Sequence, residues 1–167
     1  MRTSILVCIG TLVFINVAVA GGTVSTQSDA DSAAIKETLL NYVEGWYEGN
    51  AARMQRALYP DLAKRIVRKN PKTGKEYLEK MSAKDLITGT GTDGGCIADS
   101  TESRPKCTLI PKDRQQKDIT IFDIYQDEAS AKVVFLGWVD YVHLARINER
   151  WVIVNVLWQE KPEPNTK

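Results

Sequence analysis

The chain has 167 residues, 43% hydrophobic and 26% charged, with 22 Lys+Arg, 21 Asp+Glu and one His, for a formal net charge of +1. That length suits one domain with one core. The even charge balance argues against nucleic-acid binding and electrostatic membrane docking, and one His with few cysteines argues against a zinc site.

Residues 1–20 read as a secretory signal peptide. Arg2 supplies the basic start, Ile5 to Val17 an apolar run too short to span a bilayer, and Ala18-Val19-Ala20 a small-x-small cleavage site. The expectation is an exported protein, periplasmic or extracellular. Cleavage removes Cys8 and leaves Cys96 and Cys107, an even pair that reads as a disulfide in an exported chain. Closing a loop of about 12 residues would contribute about 3 kcal/mol in the chain-entropy account.

Residues 21–30 are expected as a flexible leader. A first helix starts between Ser28 and Ser32, with Ile35, Leu39, Tyr42, Val43 and Trp46 on one stripe and Gly49 ending it. Asn50 caps a short second helix through Ala57, and Tyr59-Pro60-Asp61 breaks it. Leu62 to Arg68 and Lys75 to Leu78 flank the turn sequence Asn70-Pro71-Lys72-Thr73-Gly74, which predicts a basic, exposed hairpin. Ser82 caps a third helix to about Thr88, with Asp85 in the capping-box position. Residues 89–117 have loop composition.

Ile119 to Tyr125 reads as a strand, Ala129 to Ile147 as one long strand, and Arg150 to Gln159 as the last, with Asn148-Glu149 as the turn. Residues 161–167 are a Pro-containing tail. Helices precede a meander, so the fold class is α+β with a mainly antiparallel sheet over residues 31–160.

The front segment NYVEGWYEGNAARMQRALYPD and the back segment VDYVHLARINERWVIVNVLW together resemble the nuclear transport factor 2-like superfamily, of the SnoaL-like cone type. Within it, the chain is most similar to the secreted group labelled putative lumazine-binding. The resemblance implies a cone, a curved sheet wrapped around the N-terminal helices, often dimeric through the sheet. It does not carry lumazine over as a ligand. Relatives are expected to have His after the Ala57-Leu58 pair, where this chain has Tyr59. That departure weakens any mechanism that needs an imidazole there.

With Ile147 opposite Arg150, Val142 faces Asn155 and Asp140 faces Leu157. One face then carries Trp138, Asp140, Val142, Leu144, Trp151, Ile153, Asn155 and Leu157: mostly apolar with few polar groups, the composition of a ligand pocket. Tyr42 and Trp46 come from helix 1 and Tyr59 from the cone mouth. In a pocket, Asp140 serves as a binding group or as a general base; in a closed core it is a structural carboxylate bonded to Asn155 or a backbone amide. The superfamily resemblance supports a carboxylate in the cone. Tyr141, His143 and Trp158 fall on the other face, which reads as a dimer interface. His143 is three residues from Asp140, so only a bulge would pair them.

Gly89-Thr90-Gly91-Thr92-Asp93-Gly94 matches GxGxxG, but no strand precedes it, and a dinucleotide site is not expected. Asp93, Asp99 and Glu102 lack EF-hand spacing. The expected function is binding of a small, partly apolar molecule, without metal or cofactor, by a homodimer. The alternatives are an acid–base enzyme with Asp140 as base, and an interaction module. An open cavity containing Asp140 favours binding or catalysis; a cone filled by Trp46, Trp138 and Trp151 favours the module.

Overall fold

The computed structural model describes residues 24–98 and 107–162. Residues 1–20, expected as a signal peptide, and residues 163–167 lie outside the described residues, as do Asp99 and Glu102. In chain order the elements are α1 (Val24–Tyr47), α2 (Ala51–Ala57), β1 (Leu58–Lys69), β2 (Glu76–Met81), α3 (Ala83–Asp93), β3 (Cys96–Ala98), β4 (Cys107–Leu109), a 3-10 turn (Lys112–Arg114), β5 (Asp118–Tyr125), β6 (Glu128–Val134), β7 (Trp138–Ile147) and β8 (Arg150–Glu160). Six strands form one curved sheet in the order β2-β1-β8-β7-β6-β5, while β3 and β4 make a separate ribbon. Only β1 and β8 run parallel, so the sheet is mainly antiparallel and the fold is α+β, as expected.

Ile35, Leu39, Tyr42 and Val43 of α1 are buried against the inner face of the sheet. The helix begins at Val24, earlier than expected, and takes in most of the presumed leader; no Gly or Pro interrupts the sequence until Gly45. Gly45 is where α2 crosses: a Cβ there would lie 2.9 Å from the Met54 amide nitrogen. Asn50 caps α2 by accepting from the Arg53 amide, and the Arg53 guanidinium reaches back to Glu44, Glu48 and Asn41, tying α2 to α1.

The Ser82–Asp85 capping box forms as read, but α3 runs past Thr88 to Asp93. The GxGxxG segment is therefore mostly helix. Thr90 donates to the Leu86 carbonyl, and Gly91 lies against Ala51 of α2. The rest of the expected loop holds β3, β4 and the 3-10 turn. Gly95 sits at φ +69°, and a Cβ there would meet the Tyr47 carbonyl oxygen at 2.0 Å.

The expected long strand from Ala129 to Ile147 is two strands, β6 and β7, folded back at Phe135–Gly137. As one strand it would run about 60 Å, more than the breadth of about 40 Å for a domain of this size. Tyr47 pins the turn by accepting from the Leu136 amide and donating to the Gln116 carbonyl. Lys161, assigned to the tail, pins it too: its amide donates to Gly137 O and its ammonium to Phe135 O and Gln116 Oε1.

Candidate functional site

Between β7 and β8 the two-residue turn forms as expected, with Asn148 and Glu149 both at positive φ. Ala145 faces Val152, but the register then shifts between His143 and Leu144, leaving Val154 as an extra residue on β8. Beyond that bulge every side chain of β8 changes face relative to the unbroken alternation. Asp140 pairs with Trp158 and His143 with Asn155. Val156 and Trp158 join the inner face; Asn155 and Leu157 leave it.

The hairpin after α2 also departs from expectation. β1 is not part of an exposed ribbon but an interior strand, flanked by β2 and β8, and of the hairpin's two strands only β2 lies at an edge of the sheet. Leu62, Lys64 and Ile66 of β1 are buried in alternation. Lys64 lies beside Val156 in the parallel register, which brings its side chain close to Asp140 across β8.

The result is a buried polar cluster in an aromatic cavity. Asp140, 1% exposed, accepts at Oδ2 from the Tyr42 hydroxyl at 2.6 Å and from the Lys64 ammonium at 2.8 Å. Lys64 also donates to the Tyr42 oxygen at 2.8 Å and lies 4.9 Å from the Trp158 ring centroid, within cation–π reach. Asp140 Oδ1 has no hydrogen-bond partner among the described residues. Burial pushes the Lys64 ammonium below its ordinary value, against the opposing pull of Asp140. Burial, reinforced by the Asp140 charge, holds the Tyr42 phenol well above its ordinary value.

A cavity of about 90 Å³ adjoins the cluster, lined by these three residues, by Trp46, Trp138, Trp158 and Phe135, and by Met54, Met81 and Leu86. Trp46 and Trp138 meet edge to face at 5.5 Å. The lining is nearly all apolar, so a polar group of an occupant would be directed to the cluster.

Tyr42, Trp46, Trp138 and Asp140 therefore gather as the sequence suggested. Three other expected pocket residues do not. Trp151 is buried elsewhere along the sheet, its indole donating to Asp31 Oδ1 at 3.2 Å with Arg146 over the ring. Tyr59 lines a separate groove with Leu58, Ile87, Asn148 and Arg150, because Pro60 and the shifted β1–β8 register carry it away from the cone interior. Asn155 is on the outer face, accepting from Arg65 and bonded to His143 Nδ1 at 3.2 Å. Tyr141 and His143 are exposed on that face as expected, whereas Trp158, expected beside them, points inward.

Lys64 is the residue that sequence reasoning missed. Its signal was present: in Leu62-Ala63-Lys64-Arg65-Ile66, Lys64 occupies the middle of an apolar face of period two. Among the described residues, no group of three or more His, Cys, Asp or Glu is placed to hold a metal ion. No described helix is long and apolar enough to cross a membrane.

The sequence profile of the family described as "Putative lumazine-binding" matches residues 30–159. No curated protein matches the chain. Among solved structures, a nuclear transport factor 2-like protein of unknown function from Methylobacillus flagellatus aligns with TM-score 0.58 at 21% identity, covering 79% of this chain and 93% of that one. One from Shewanella baltica, also of unknown function, gives TM-score 0.56 at 18% identity over 81% and 97%. A hexachlorocyclohexane dehydrochlorinase gives 0.54 at 10% identity over 84% and 94%. At these identities the likeness is one of fold.

Proposed function

This chain belongs to the family described as putative lumazine-binding, with a nuclear transport factor 2-like fold, and we propose that it binds a small, mostly apolar molecule in the cavity beside Asp140. The observation that carries this reading is the buried Asp140 in the wall of an aromatic-lined cavity, with an Oδ1 that has no partner among the described residues. A buried acceptor without a donor costs free energy that a ligand N–H or O–H would recover. The ligand is thus a compact molecule, or a compact end of a longer one, presenting one donor to Asp140 and an apolar body to Trp46, Trp138 and Trp158. The cavity is smaller than the roughly 150 Å³ that accommodates benzene, which limits the inserted group to a few heavy atoms.

Native mass spectrometry of the mature protein from its own host tests this. A co-purifying small molecule, released on denaturation, is the expected result. An apo protein whose melting temperature is unmoved by millimolar short alcohols or short amides would refute it.

Catalysis by Asp140 as a base is the second reading, and the same free Oδ1 is what favours it. The dehydrochlorinase of similar fold supplies only a precedent for the architecture. Asp140→Asn separates the two: the amide oxygen can still accept from the ligand's donor, so binding survives, and turnover does not.

We also propose export through residues 1–20, a Cys96–Cys107 disulfide and a homodimer through the outer face. Cys96 stands opposite Leu109 and Cys107 opposite Ala98, so the two cysteines are diagonal neighbours on one ribbon, which supports the bridge. Phe122 and Tyr141 stack at 6.3 Å on the exposed face near Leu157, which supports the dimer. Intact mass with and without reductant, and light scattering of Tyr141→Glu, test these points.

A further inference from the structure

We propose that Lys64 is a nucleophilic amine that forms a reversible imine with a small apolar aldehyde or ketone seated in the cavity. This rests on the reading of the cavity as a small-molecule site. Among the described residues Lys64 is the lysine that lies buried; the others are exposed or partly so. Lys64 lines the cavity, and its nitrogen is held among Trp158, Tyr42 and Asp140 rather than facing solvent. Amines become nucleophiles at neutral pH when desolvation favours the uncharged form, and burial acts on Lys64 in that direction.

The neighbouring groups complete the chemistry. Nζ and Asp140 Oδ2 are 2.8 Å apart, so a proton can pass from the ammonium to the carboxylate without either group moving. The nitrogen lone pair then attacks the carbonyl carbon; a C–N bond forms as the C=O π bond breaks, and a proton from nitrogen goes to the oxygen, giving a carbinolamine. The proton held by Asp140 reaches that hydroxyl through the Tyr42 O–H, which touches both Oδ2 and Nζ. The C–O bond breaks, and the oxygen leaves as water with one proton from nitrogen and one from Asp140. The product is a cationic iminium where the ammonium stood, still paired with the Asp140 carboxylate and near the Trp158 ring. Ammonium plus carbonyl gives iminium plus water, with no oxidant or reductant. The cluster therefore holds the same net charge before and after, and the desolvated cation is never left without its anion.

Incubating the protein with butanal and sodium cyanoborohydride at neutral pH, followed by peptide mapping, tests this. The expected result is a single reduced adduct at Lys64, formed at least tenfold faster than at any surface lysine, and slowed at least tenfold in Asp140→Asn. Butan-1-ol, similar in size but unreactive, reports cavity occupancy separately through tryptophan fluorescence. If butan-1-ol binds while butanal labels only surface lysines, the imine proposal falls and the binding reading stands. If butan-1-ol does not bind and Lys64 stays unlabelled, both fall. The wild-type labelling pattern decides the matter even if substitutions at Lys64 prevent folding.

Discussion

Lys64→Met should cost the fold about 3–5 kcal/mol, the usual penalty for leaving one member of a buried ion pair without the other. The side chains of Lys64 and Asp140 are 7% and 2% exposed, so water does little to screen the abandoned carboxylate. Met matches the lysine stem in volume, and the loss is therefore electrostatic rather than a packing defect. For a domain of about 150 residues, that corresponds to a fall in Tm of about 10 °C. Removing both charges in Lys64→Met/Asp140→Leu should recover most of it, leaving mainly the loss of the Tyr42 hydrogen bonds, about 1–3 kcal/mol. Urea unfolding followed by tryptophan fluorescence at pH 7 measures all variants, and the cycle should give a coupling energy above about 2 kcal/mol. Single-variant losses below about 1 kcal/mol that simply add in the double variant would place the pair with surface salt bridges and refute the reasoning.

Tyr42→Phe removes the donor to Asp140 and an acceptor for Lys64, and should destabilise by about 1–3 kcal/mol in the same urea assay. The pH dependence follows from two opposite shifts. Lys64 lies below its ordinary 10.5, so the unfolded chain binds more protons between the folded pKa and 10.5, and stability from this group rises with pH in that window. Tyr42 lies above its ordinary 10.0, so its contribution is complete below pH 10 and is lost above it. Asp140→Asn removes the support for the Lys64 charge and should steepen the rise between pH 7 and 10; an unchanged slope would contradict the burial argument. Gly95→Ala should lower stability by more than about 2 kcal/mol, because it combines a left-handed φ with a backbone collision at Tyr47; circular-dichroism melting checks it, and a Tm within about 2 °C of wild type would refute it.

Local signals in the sequence were reliable where one residue type does one job. Asn50, the Ser82–Asp85 box, the Asn70–Gly74 turn and the Asn148-Glu149 turn each satisfy specific backbone groups, and each appears where it was read. The helix stripe identified Tyr42 and Trp46 because one face must be buried. The failures concern relations between distant segments. Within Trp151 to Trp158 apolar residues occur at both parities, so nothing local marks Val154 as the extra residue that exchanges Asn155 and Trp158 between faces. Lys64 looked like part of a solvated hairpin because β8, its parallel neighbour, lies some 90 positions later in the chain, as in the Arg65–Asn155 bond. Burial conferred by a remote strand leaves no mark on the local pattern beyond the alternation of Leu62, Lys64 and Ile66.

The parallel pairing of β1 with β8 joins the first strand of the sheet to the last. Tyr42 and Asp140 are separated by 98 positions and Lys64 and Asp140 by 76, so the cavity draws on nearly the whole described chain. Closing spans of that length is entropically costly and slow, and the reward comes only when β8 docks between β1 and β7. A chain emerging N-terminus first would have Lys64 in place well before its counter-ion. Until the C-terminal residues arrive, that amine remains hydrated and fully charged. The cavity and the perturbed lysine should thus appear together, late, in a single cooperative step, and a chain truncated before β8 should have neither.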